Sequence, residues 1–274
     1  MTEEARLSVP QPPPIDAPAA AYPREWLAIH LEEERRSGAW LGEVREIVFG
    51  AQDGLVSTLA VVATVAGATG APFPIVVAGI ATALAGVFSM AAGEYIGSKS
   101  QREIHEAQIA GEREEIRERP GEAEAEVAYM LAEEGLSRED AARVAATMAR
   151  KPEVLLRTMV SRELGLQVDD EHGSPLQGAL LMGVAFGLGA AVPVLPFVLL
   201  GGGLGVAVSA ILPISVVATG LVTFAIGIVK SRWTRRNPLA SGLEVLALAA
   251  VAGIAGYVFG TILPTVLGVA GLSV

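Results

Sequence analysis

The sequence predicts an all-α fold: a polytopic membrane protein of five transmembrane helices, with a small cytoplasmic helical bundle inserted between spans 2 and 3. Three observations predict it. Hydrophobic residues make up 51% of the chain and mean hydropathy is +0.48, too apolar for a soluble domain of 274 residues. The apolar residues gather in five runs of about 20 residues, the length that crosses a bilayer. One long interruption, residues 98–175, carries 18 carboxylates against 11 basic residues. A carboxylate-rich soluble segment of this kind has a cation as its natural partner.

Taken in order, residues 1–23 are Pro- and Ala-rich and read as disordered or polyproline-like. Residues 24–47 set Trp26, Ile29, Trp40, Leu41 and Val44 among charges, the pattern of an amphipathic helix at the membrane surface. Within it, His30 has metal-ligand spacing to Glu33 and Glu34, although a solvated helix face looks the same. Residues 48–97 hold spans 1 and 2, Val48 to Gly70 and Ile75 to Gly97. The first is no signal peptide, since it follows an acidic stretch and lacks a basic leader and cleavage site. The second runs without a breaker to Arg119, where Pro120-Gly121 stops it, and so projects into the cytoplasm.

Within residues 98–175 a second helix is expected from Glu122 to Glu133. A third starts at Ser137, with Asp140 completing an acidic capping box, and a fourth opens at Pro152 and ends near Leu164-Gly165. Residues 176–274 supply spans 3 to 5: Leu176 to Leu200, Val206 to Val229 and Leu243 to Gly268. Gly50/Gly54, Gly93/Gly97, Gly183/Gly187 and Gly256/Gly260 have the spacing that lets helix backbones approach closely in lipid.

Charge sets orientation and excludes functions. The 20 Lys and Arg residues fall in residues 1–47, residues 98–175 and the turn Lys230 to Arg236, leaving the opposite connections bare. The positive-inside rule then puts the N-terminus and residues 98–175 in the cytoplasm and the C-terminus outside. A net charge of −10 argues against nucleic acid as a partner, and the absence of Cys removes disulfides and thiolate ligands. No Ser/His or Ser/Lys pair lies at membrane depth, so an enzyme is not expected. Short loops and the lack of a transit-type leader point to a prokaryotic plasma membrane.

Ionisable residues inside spans are costly and are functional candidates. Asp53 lies in the first span and Glu94 near the cytoplasmic end of the second, with Met90 one turn before it. Glu244 opens the fifth and reads as an interfacial charge. A carboxylate with a thioether suits a borderline-soft divalent metal. In the insert, Glu103/Glu106, Glu112/Glu115 and Glu122/Glu126 each share a helix face, and Met159 shares one with Glu163. Oxygen ligands of this kind suit Mn²⁺, Fe²⁺ and Ca²⁺, yet Arg113, Arg117 and Arg119 could equally neutralise them.

Three stretches carry a family resemblance. REIVFGAQDGLVS at Arg45 to Ser57 resembles the first span of the vacuolar iron transporter family. SMAAGEYIGSKSQ at Ser89 to Gln101 is similar to the end of its second span, and Glu163 to Leu166 to the end of its cytoplasmic metal-binding region. The likeness covers about residues 42–268 in the same order. It implies a homodimer with a pathway between the two first spans, and a cytoplasmic domain that gathers Fe²⁺ and feeds it to the pore. It also implies export coupled to inward movement of H⁺. Carried over, Asp53 and Met90 stand in the pathway, and Glu112, Glu115, Glu126 and Glu163 gather metal with Met159 beside them. Glu122 and Glu124 straddle the place of a further acid. Where the family often has two methionines, this chain has Met159-Val160, and Gln52 replaces a common Asn.

The function expected is thus proton-coupled export of Fe²⁺, with Mn²⁺ or other divalent metals as further cargo, in iron homeostasis. Carboxylates bind a cation only when deprotonated, so metal and proton compete for one group. Two alternatives are a mainly Mn²⁺ exporter and a membrane-anchored metal sensor or buffer without transport.

Overall fold

The computed structural model describes residues 14, 17–168, 174–202 and 204–266. Most of the Pro/Ala-rich start, for which disorder is expected, lies outside them, as does the tail beyond Val266. The described residues are helical apart from short connections and contain no strand. Five of the helices are long and apolar enough to cross a membrane.

Helix α1, Arg24–Ala68, joins the amphipathic segment and the first span without a break. Nothing at residues 47–48 interrupts the backbone: the change from charged to apolar side chains alters the surroundings of the helix, not its hydrogen bonding. Pro23, in extended conformation, precedes it, and Glu25 in the first turn favours the positive end of the dipole. Trp26 stacks on His30 with centroids 4.7 Å apart, Tyr22 packs against Trp26 at a tilt of 50°, and His30 Nε2 lies 3.4 Å from Glu34. The helix ends where the Thr69 N–H reaches the Val65 carbonyl.

Helix α2, Pro72–Glu118, spans 47 residues, about 70 Å at 1.5 Å per residue. Three short helices follow: α3, Pro120–Glu133; α4, Arg138–Ala149; and α5, Pro152–Glu163. Pro occupies the first turn of α3 and α5, where a missing N–H costs nothing. Ser137 caps α4, its hydroxyl accepting from the Asp140 N–H at 3.1 Å. The remaining helices are α6, Pro175–Pro196, which continues into a π turn at Phe197–Gly202; α7, Val208–Thr234; and α8, Pro238–Val266. Asn237 accepts from the N–H groups of Leu239 and Ala240, so α8 starts before Leu243. Glu244 therefore lies in the second turn, exposed, and not at the helix start.

Two compact units emerge, Met1–Gly93 with Leu176–Val274, and Glu94–Pro175. The first packs through glycine. A Cβ at Gly50 would lie 2.6 Å from the Met182 carbonyl oxygen on α6, and one at Gly67 2.8 Å from that of Tyr257 on α8. Gly54, Gly189, Gly256 and Gly260 likewise bring backbones into contact, as small residues do where lipid gives no hydrophobic drive. Gly93 and Gly97 differ: nothing lies within 4 Å of a Cβ at either. Val62, Ile75, Val194, Phe197, Val208 and Ile211 form an apolar cluster of this unit. Near it, the buried Ser215 hydroxyl donates to the Pro193 carbonyl at 2.7 Å, satisfying an acceptor where α6 loosens into the π turn. Large apolar residues such as Leu180, Leu188, Leu221 and Phe259 face outward, as suits helices in lipid.

The second unit has its own small core: Ile116 of α2, Ala123, Val127 and Leu131 of α3, Ala141 and Ala145 of α4, and Leu155, Leu156, Met159 and Val160 of α5. Ion pairs from Arg162 to Glu134 and from Arg113 to Glu153 tie α5 to its neighbours.

Candidate metal site

The acidic pairs of the insert stand on two helices that the break at Arg119–Gly121 folds against each other. Ile116 is buried in the core, which fixes the α2 face carrying Glu112 and Glu115. Buried Ala123 and Val127 do the same for the α3 face of Glu122 and Glu126. One carboxylate oxygen from each of Glu115, Glu122 and Glu126 lies within 4.8 Å of the others. That separation admits one cation among three oxygens at about 2.2–2.6 Å. Glu122 joins this group; Glu124, two positions on, belongs to another part of the helix circumference and does not.

Electrostatics extends the group to five acids. Burial first, and then the charges of Glu163, Glu115 and Glu126, push the Glu112 carboxyl above its ordinary value. Burial, followed by Glu115, Glu163 and Glu122, does the same to Glu126, with Arg119 opposing. Arg119 donates to Glu122 at 2.8 Å, on the exposed rim. Glu112 Oε2 is buried without a hydrogen-bond partner, an acceptor left waiting for a donor or a cation. Glu163, at the C-terminal end of α5, is exposed, and its charge still reaches Glu112 and Glu126. Three half-buried carboxylates, Glu112, Glu115 and Glu126, with exposed Glu122 and Glu163 beside them, form a set that added positive charge stabilises, and Arg119 pairs with it only at Glu122 on the rim.

Met159 is treated differently by the fold. It is fully buried in the core of the unit, one turn before Glu163, and Val160 is buried beside it. Thr158 Oγ1 meets another thioether, Met148 Sδ, at 3.6 Å. In the spans, Asp53 is half-buried on α1 next to the Gly54 contact with α6, and the Ser57 hydroxyl donates to its backbone carbonyl at 2.6 Å. No hydrogen bond or ion pair of its carboxylate is found among the described residues. Met90 is half-buried on α2, and Glu94 accepts from the Ser98 hydroxyl. Among the described residues, then, the insert gathers Glu112, Glu115, Glu122, Glu126 and Glu163 and leaves Met159 in its core, Glu94 stands at the first position of the same unit, and Asp53 and Met90 belong to the other unit. One residue went unnoticed in the sequence: His105, half-buried on α2 seven positions before Glu112, at a spacing that repeats one helix face.

The profile of the VIT family matches residues 44–261, which include Asp53, Glu94 and the acids of the insert cluster. Vacuolar iron transporter 1 of Arabidopsis thaliana is 33% identical over 214 residues, 78% of this chain and 83% of the relative. Vacuolar iron transporter 1 of Eucalyptus grandis is 32% identical over 228 residues, 83% of this chain and 89% of the relative. The Plasmodium falciparum protein named vacuolar iron transporter is 27% identical over 223 residues, 80% and 82% of the two chains. With five membrane-length helices, a carboxylate cluster on the insert and this match along most of its length, the chain belongs to the VIT family.

Proposed function

We propose that the protein is a transporter that exports Fe²⁺, with Mn²⁺ as a second cargo, from the cytoplasm in exchange for protons. The observation that carries this reading is the group of Glu115, Glu122 and Glu126 with Glu112 and Glu163 beside it. The cluster gathers the cation, and Asp53 and Met90 line the route through the bilayer, between the first spans of two copies. The names of the curated relatives support iron as cargo. Val160 at the place of a second thioether supports a share for Mn²⁺, which prefers oxygen. The positive-inside pattern supports a cytoplasmic insert, hence movement away from the cytoplasm. The relatives are named for the vacuole; in this chain we read the membrane as a prokaryotic plasma membrane.

Proton coupling follows from the same carboxylates. An empty cluster whose members repel one another holds a proton more tightly than isolated acids do, and an arriving metal displaces it. At Asp53 the same competition, with access alternating between the two sides, exchanges one ion for the other. Metal flux into proteoliposomes with a pH gradient tests this, with the wild type beside Asp53→Ala and a Glu112/Glu115→Ala double variant. Flux that follows the gradient, stops in Asp53→Ala and slows in the double variant is the expected result. A protein that binds Fe²⁺ but moves none is a sensor or buffer. Competition between Fe²⁺ and Mn²⁺ in the same assay ranks the two cargoes.

A further inference from the structure

The connection between α7 and α8 concentrates positive charge. Lys230 and Arg232 lie near the end of α7, and Arg235 and Arg236 follow it, so four cations fall within seven residues. No acid stands between Val229 and Asn237. Among the described residues, no ion pair or side-chain hydrogen bond engages any of the four. Cations of the insert differ: Lys99, Arg102, Arg113, Arg117 and Arg162 each pair with a carboxylate.

The turn sits where the lipid-facing surface ends. Val229 is exposed just before the charges, and Leu239 and Leu243 are exposed at the start of α8. Lys230 to Thr234 covers about 6 Å of helix at 1.5 Å per residue, close to the headgroup layer of about 5–7 Å on each side of the hydrocarbon core. Trp233 is exposed among the cations, and an indole is the side chain that favours this depth. Lys230 is half-buried, whereas Arg232, Arg235 and Arg236 are exposed. Arg235 has a left-handed backbone, φ 51 and ψ 28, at a helix end where Gly or Asn is the usual residue. A guanidinium is thus held where the backbone favours another side chain. Asn237 closes the turn by accepting from the N–H groups of Leu239 and Ala240.

We propose that Lys230, Arg232, Arg235 and Arg236, with Trp233 among them, bind the headgroup of an anionic phospholipid. The positive-inside rule asks for basic residues on one side during insertion, but it does not ask that they stay unpaired in the folded chain. In an acid-free turn at the bilayer surface, the phosphate of an anionic lipid is the counter-charge at hand. Guanidinium groups take phosphate oxygens two at a time, and each basic residue at such a surface adds roughly fivefold to the attraction. A zwitterionic lipid offers the same phosphate but cancels it with its own ammonium group. The inference needs only that α7 and α8 cross a bilayer, so it stands apart from the transport reading.

Tryptophan fluorescence of the full-length protein tests it. The chain has 3 Trp, so Trp26→Phe/Trp40→Phe leaves Trp233 as the sole emitter. In phosphatidylcholine vesicles, a small fraction of the lipid is replaced by chain-brominated phosphatidylglycerol or, in parallel, by chain-brominated phosphatidylcholine. At equal mole fraction the anionic lipid should quench Trp233 at least about twofold more, because the cations gather it. Lys230/Arg232/Arg235/Arg236→Gln should make the two lipids equal. Arg235/Arg236→Gln, which changes only exposed side chains between the helices, should reduce the preference partway, so a folding defect in the quadruple variant does not decide the outcome. Arg35/Arg36→Gln on α1 should leave the preference unchanged, as should inorganic phosphate added at matched ionic strength. Equal quenching in the parent, a preference undiminished in both turn variants, an equal loss in the α1 control, or loss to inorganic phosphate each overturns the site.

Discussion

Replacing Glu126 with Gln should make the metal-free insert more stable and the metal-bound state weaker. Glu126 stands within 4.8 Å of Glu115 and Glu122, oxygen to oxygen. At that separation two unit charges repel by about 0.9 kcal/mol in the dielectric of water and about 3.5 kcal/mol at an effective constant near 20. Glu122 is exposed and the other two are half-buried, so the lower figure governs. Removing one charge relieves two pairs, or about 1–2 kcal/mol, a 5- to 30-fold slowing of opening. The attraction lost is larger. A divalent ion about 3 Å from a carboxylate gains about 2.8 kcal/mol even at the dielectric of water, about a hundredfold in affinity; the amide oxygen that remains as a ligand reduces the loss to about 10- to 100-fold. Hydrogen exchange of the α3 amides with a chelator present reads the first effect, and calorimetric titration with Mn²⁺ reads the second, both on the full-length protein. If exchange quickens in the variant, or Mn²⁺ binds with unchanged affinity, the three acids are not a strained cation site, and the assignment fails.

Two further predictions use the same structure. Glu112 and Glu126 have folded-state pKa values raised by burial and by neighbouring acids, so they bind more protons folded than unfolded. Their contribution to metal-free stability is therefore favourable at low pH and is lost as pH rises through the folded pKa values; lowering the pH through that range should raise α3 protection, measured against the intrinsic exchange rate at each pH, while weakening Mn²⁺ binding. Wild type that fails to show opposite trends, or Glu112/Glu126→Gln that still shows them, refutes the assignment of the titrating groups. In the spans, Gly50→Val would drive a Cβ into the Met182 carbonyl at 2.6 Å, whereas Gly93→Val meets nothing within 4 Å. Thermal unfolding in detergent should show Gly50→Val destabilised by about 1–3 kcal/mol or more from overpacking, and Gly93→Val by no more than the helix-propensity difference. Equal losses would show that the two glycines do not differ in their surroundings.

What could be read from the sequence was local. Apolar runs located five membrane-length helices, Pro120-Gly121 marked the end of α2, and Pro152 and the Ser137 to Asp140 cap marked the starts of α5 and α4, because each is a property of a few adjacent residues; α3, expected from Glu122, starts at Pro120. The continuity of α1 was not legible: a sharp change from charged to apolar residues looks like a boundary, yet no Pro or Gly pair breaks the backbone there. The π turn after Pro196 was not legible, and the Ser215 hydroxyl that donates to the Pro193 carbonyl just before it comes from another helix. The acidic pairs could be placed on faces but not against each other. That Glu115 meets Glu122 and Glu126, and that Glu163 raises Glu112, depends on the α3 and α5 core, which spacing within one helix does not reveal. Four Gly-x-x-x-Gly pairs looked alike in sequence, and only the packing separates Gly93/Gly97 from the rest.

The helix break is what turns a row of acids into a site. On one continuous helix Glu115, Glu122 and Glu126 would fall on a single face, since seven and eleven residues are close to two and three turns. They would then be strung over about 16 Å, too far for any one ion. Arg119, with φ −133 and ψ 57, leaves the helical region, and Pro120 restarts it on a new axis. The face is preserved and the carboxylate oxygens come within 4.8 Å of one another. A chain that kept all five acids but lost Pro120-Gly121 would have the composition of a metal site without its geometry.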